Sequence, residues 1–228
     1  MEQRRYISLL IALSLSAAIA VVSLYLADVV GPPEGAFVPG SFVTHTAMLF
    51  LSLLAMKLMP GDGLSSFGLT LGTYRFSPKI LLWAVPTAGL SVFGWLASRA
   101  GGVPSAVGDR TVLQSILFVW IYASVCEEVL TRGLLQTLLH RWAGARPPSG
   151  GWSAPVVLSG LFFGAMHLVL LRSMGPAALV PIVLATLLGF LAARYRASTG
   201  SVVPAIIVHV LFNVGGMLPG WILRSVVQ

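Results

Sequence analysis

Two adjacent glutamates, Glu127 and Glu128, stand in the apolar stretch SVCEEVLTRG, and Arg132 follows the second by four residues. An ionised carboxylate in the middle of a membrane costs several kcal/mol, about 2.5 to 3.5 on insertion scales, so each acid needs a partner or a proton. Helix positions i and i+4 share a face, which pairs Glu128 with Arg132 and turns Glu127 about 100° away from that pair. One acid is thereby structural and the other available. Two later apolar stretches each carry a histidine: His167 closes FFGAMH, and His209 opens HVLFN with Asn213 one turn further on the same face.

These residue types suit hydrolysis. A carboxylate and an imidazole held around one water can activate it as a nucleophile, the work expected of Glu127 and His167. A second imidazole and a carboxamide can donate hydrogen bonds to the oxyanion that develops on an attacked carbonyl, which suits His209 and Asn213. Glu127, His167 and His209 could equally hold a divalent metal such as zinc with a position open for water. The residues fit both versions, and the sequence by itself demands no cofactor.

The elements that must position these groups are helices in a membrane. Of 228 residues, 57% are hydrophobic and 9% charged, and the mean hydropathy is +0.90, far above a soluble domain of this size. The expected fold is an all-α polytopic membrane protein, a single membrane-embedded domain over residues 1–228. Its seven spans fall roughly at 6–30, 41–59, 79–100, 111–139, 154–171, 177–196 and 201–217. The N-terminal stretch exceeds the apolar core of a signal peptide and is expected to remain as the first span. The tail after Met217 is expected to be a possible eighth segment, short or interfacial, with Trp221 among headgroups. With the N-terminus cytoplasmic, nine of the fourteen Lys and Arg residues fall inside, four outside, and Arg132 lies within a span, as the positive-inside rule requires.

The charge of +7 therefore sets topology, and nucleic-acid binding is excluded as its explanation. Cys126, the single cysteine, excludes an internal disulfide or a cysteine metal cluster. Counted from the cytoplasmic ends of their spans at about 1.5 Å per residue, Glu127, His167 and His209 lie within roughly 8 Å of one depth, so one cavity can collect them.

In this order, EEVLTR (127–132), FGAMH (163–167) and HVLFN (209–213) resemble the Glu-Glu-x-x-x-Arg, Phe-x-x-x-His and His-x-x-x-Asn motifs of the CPBP family, also called Abi. That family contains CAAX prenyl endopeptidases and bacteriocin-processing enzymes, and the resemblance covers residues 111–217. It implies an intramembrane endopeptidase in which Glu127 and His167 activate water and His209 and Asn213 complete the site. Glu128, Arg132 and Phe163 then have supporting roles. The implied partners are the bilayer and a membrane protein or lipidated peptide, and the implied location is a bacterial inner membrane.

Two other classes place similar residues at mid-membrane: a proton- or ion-coupled carrier, and a non-catalytic immunity or assembly protein. The absence of paired interrupted helices argues against common carriers, and the intact motifs against the second. Several residues have plainer readings. Ser159 as a serine nucleophile would leave both glutamates unexplained. Cys126 is read as packing. His45, Lys57 and His140 are read as interfacial or packing residues. Gly160 and Gly164 form a small-xxx-small pair that lets two helices approach closely.

Overall fold

The computed structural model describes residues 2–32, 36–59, 63–71, 111–144 and 152–227, together with Val85, Gly89, Val92, Phe93 and Leu96. Every long element among the described residues is a helix. Helix α1 (Glu2–Val30) and α2 (Ser41–Leu58) are followed by a 3-10 turn, Gly63–Phe67. Helix α3 spans Val112–Ala143, α4 Ala154–Met166, α5 Leu179–Thr199 and α6 Val203–Val227.

Four of these stretches are long and apolar enough to cross a membrane: Tyr6–Val30, Ser41–Leu58, Val112–Ala143 and the continuous stretch Ala154–Thr199. The last folds back on itself through short turns at His167–Leu170, Leu171–Met174 and Gly175–Ala178. Its two arms, α4 and α5, lie where separate spans are expected at 154–171 and 177–196, but the whole stretch is one continuous apolar helical run. The span expected at 79–100 lies outside the described residues, apart from the five positions named above. Seven spans are therefore not established; four long apolar helices are.

Glycine sets the spacing of the α4–α5 hairpin. A Cβ on Gly160 would collide with the Phe190 ring and, at 2.9 Å, with its backbone nitrogen; one on Gly164 would collide with Thr186. A Cβ on Gly189 would lie 2.7 Å from the Gly160 carbonyl oxygen. The expected small-residue contact is thus real, and it runs between antiparallel arms. Gly144 and Gly200, with φ of 64° and 71°, end α3 and α5 in the left-handed conformation that a glycine accepts without strain.

Helix α3 is the axis of the fold. On one side, Val129, Leu130 and Leu134 pack with Ile19 and Ala20 of α1, Met48 and Met56 of α2, and Phe67. On the other, Phe163, Ala185, Leu188 and Val208 join α4, α5 and α6. The C-terminal region departs from expectation. Instead of a separate segment after Met217, α6 continues unbroken through Pro219 to Val227.

Candidate active site

The two glutamates ride on a short α-helical segment, Ser124–Glu128, between two π-helical segments of α3, Ser115–Ala123 and Val129–Leu135. A π turn takes an extra residue and rotates the side chains that follow it, a device frequent at functional sites. All seven residues of Val129–Leu135 are buried, Arg132 included.

Glu128 and Arg132 are both fully buried and pair as expected, with Arg132 Nη1 donating to Glu128 Oε1 at 3.2 Å. The guanidinium also donates through Nη2 to the Gly189 carbonyl at 2.7 Å and through Nη1 to Thr131 Oγ1. It lies over the Phe163 ring, 4.6 Å from the centroid. That ring in turn touches His167, centroids 4.9 Å apart, and meets His209 edge-on at 5.4 Å. Phe163 is the common floor on which the cation and two imidazoles rest.

Hydrogen bonds orient each imidazole. His167 Nδ1 lies 2.9 Å from the Phe163 carbonyl, which can only accept, so Nδ1 donates and Nε2 is left to face the site. His209 Nδ1 donates to Glu128 Oε1 at 3.0 Å, leaving Nε2 to face Glu127 Oε2 at 3.9 Å. Glu128 thus joins Arg132 on one side to His209 on the other.

Glu127 is not free of partners. Its Oε1 lies 3.0 Å from Nε2 of His45 on α2, and His45 Nδ1 donates to the Ser41 carbonyl at 2.6 Å. His45 therefore belongs to the site and is neither an interfacial nor a packing residue. The rule that exposed Glu127, an ionisable group inside an apolar span, applies equally to His45 and would have found it. Glu127 Oε2, by contrast, is buried and has no hydrogen-bond partner among the described residues.

Asn213 sits on the expected face of α6, but its amide nitrogen donates to the Val119 carbonyl at 3.2 Å and to Ser124 Oγ at 3.1 Å. Both N–H groups are used on the N-terminal side of the glutamates, one at Ser124 and one at Val119, so Asn213 ties α6 to α3. Ser159 donates to the Thr131 carbonyl at 3.2 Å, a helix-to-helix contact. Cys126 is buried. His140 is buried among helices, and Lys57 is exposed.

A cleft of about 510 Å³ opens over these groups between α1, α2 and the end of α4. Ala17, Ala20, Met48, Phe162 and Met166 give it apolar walls, while His45, Glu127 and His167 supply its polar floor. A second groove of about 550 Å³ runs along α5 beside Trp152 and Arg194, and among the described residues its lining has neither carboxylate nor imidazole.

Among the described residues, no three His, Cys, Asp or Glu side chains are grouped to hold a metal ion. Glu127 Oε1 is engaged by His45 and His209 Nδ1 by Glu128, which leaves Glu127 Oε2 and the Nε2 atoms of His167 and His209 as the atoms turned to the site.

Residues 109–215 match one family model, described as Rce1-like: Type II CAAX prenyl endopeptidase Rce1-like. The match includes Glu127, Glu128, Arg132, Phe163, His167, His209 and Asn213, and leaves out His45. No curated protein and no solved structure matches the chain.

Proposed function

We propose, from the Rce1-like family assignment of residues 109–215, that this integral membrane protein is an endopeptidase that cleaves a prenylated or otherwise lipidated protein near its C-terminus. The apolar cleft takes the lipidated segment, and the scissile carbonyl lies over Glu127.

One observation carries this reading: Glu127 Oε2 is buried, without a partner, and faces His209 Nε2 at 3.9 Å at the foot of the cleft. A carboxylate oxygen and a ring N–H at that separation can both contact one water at about 2.8 Å, with an angle of about 90° at the water oxygen. Glu127 Oε2 takes a proton from this water while His167 Nε2 accepts its second hydrogen bond. The water oxygen bonds to the carbonyl carbon. His209, steadied through Nδ1 by Glu128, carries a proton on Nε2 and donates it in a hydrogen bond to the oxyanion. When the carbon–nitrogen bond breaks, the departing nitrogen collects the proton from Glu127 and the acid becomes the new C-terminus.

The test uses the purified full-length protein in detergent and an internally quenched peptide ending in a farnesylated cysteine and three further residues. Wild type is expected to cleave after the cysteine. Glu127→Gln and His167→Ala are each expected to lower kcat by at least about 100-fold, the usual scale for general acid–base catalysis, while still inserting and purifying as monodisperse protein. Cleavage by both variants at the wild-type rate refutes the assignment.

A further inference from the structure

Among the described residues lining the cleft, His45 is the titratable group contributed by α1 and α2, and it lies outside the family-matched segment. Its ring is held from both sides. Nδ1 lies 2.6 Å from the Ser41 carbonyl, which fixes one proton on that nitrogen. Nε2 lies 3.0 Å from Glu127 Oε1, and two such atoms bond only with a proton between them. The His45–Glu127 pair therefore holds one proton more than a neutral imidazole and an ionised carboxylate. The neighbouring polar groups have partners of their own. Glu128 is bonded to Arg132 and His209, His209 faces the other oxygen of Glu127, and His167 is bonded to the Phe163 carbonyl.

We propose that His45 is a positioning residue for Glu127, fixing Oε1 so that Oε2 faces the water and sharing the proton load of the carboxylate during hydrolysis. The inference rests on Glu127 being the base. As Oε2 takes a proton from water, the proton between Oε1 and Nε2 moves onto Nε2; as the departing nitrogen collects the Oε2 proton, the shared proton returns. Proton number balances over the cycle. The catalytic unit consequently extends beyond the matched segment, and α2 is part of it.

Two variants and two readouts test this. His45→Leu removes the bond, while His45→Gln can still donate an amide N–H to Oε1 but cannot take up the shared proton. The first readout needs no substrate: labelling of Glu127 by dicyclohexylcarbodiimide, which attacks protonated carboxyls in apolar sites, followed by mass spectrometry of the purified protein. Without the imidazole, Glu127 is left as an unshared acid facing an apolar cleft, so His45→Leu is expected to label several-fold faster than wild type, with His45→Gln between them. The second readout is cleavage of the farnesylated peptide. In His45→Leu, kcat is expected to fall about 10- to 100-fold, the scale of one hydrogen bond to a charged group, with KM nearly unchanged. His45→Gln recovers part of that loss.

Equal labelling in wild type and His45→Leu overturns the contact, and faster labelling with unchanged kcat overturns the positioning role. If the wild type itself fails to cleave the peptide, the proposed function falls while the labelling result still decides the His45–Glu127 pair.

Discussion

Replacing Arg132 by methionine tests how the site is held. The guanidinium is fully buried and bonds to Glu128, Thr131 and the Gly189 carbonyl while covering Phe163. Methionine fills much of the space and supplies no donor. Glu128 then keeps His209 as its hydrogen-bond partner, and its second oxygen, Oε2, already has none. Breaking a buried ion pair from one side costs about 3 to 5 kcal/mol, a large part of a typical folding free energy of about 5 to 15 kcal/mol. The assay is unfolding by sodium dodecyl sulfate in mixed micelles, followed by tryptophan fluorescence. Combining Arg132→Met with Glu128→Leu removes both charges, and such replacements are usually neutral or stabilising, so stability is expected to return to within about 1 kcal/mol of wild type. Hydrolysis is not expected to return, because His209 Nδ1 has lost its acceptor. The reasoning fails if Arg132→Met unfolds at the wild-type detergent fraction, or if the double variant cleaves peptide like the wild type.

Two further substitutions probe the scaffold. Gly189→Ala places a methyl 2.7 Å from the Gly160 carbonyl and 3.1 Å from Phe163 Cβ; it should cost about 1 to 3 kcal/mol as the α4–α5 hairpin opens, read as a lower melting temperature in detergent. Asn213→Leu deletes the bonds to Val119 and Ser124 and is expected to destabilise by about 1 to 3 kcal/mol in the same unfolding titration; an unchanged midpoint would mean that the amide does not tie α6 to α3.

What the sequence determined was local. The four-residue step from Glu128 to Arg132 is a property of one helix, and the ion pair forms at 3.2 Å as the spacing requires. Gly160 and Gly164 announce a close helix contact without naming the neighbour. Apolar length likewise announces the long helices. What the tertiary structure decided was rotation and partnership. His45 and Glu127 are 82 residues apart, and no periodicity within either helix states which face of one meets the other. The π segments of α3 shift its faces relative to a regular helix, and packing against α5 and α6 gives Glu128, not Glu127, the direct bond to His209. The same packing turns the amide of Asn213 toward Ser124 and leaves one oxygen of Glu127 unpaired beneath the cleft. Helix periodicity fixes angles about a single axis, whereas a site built from four helices depends on how those axes are rotated against one another, and only close packing sets that.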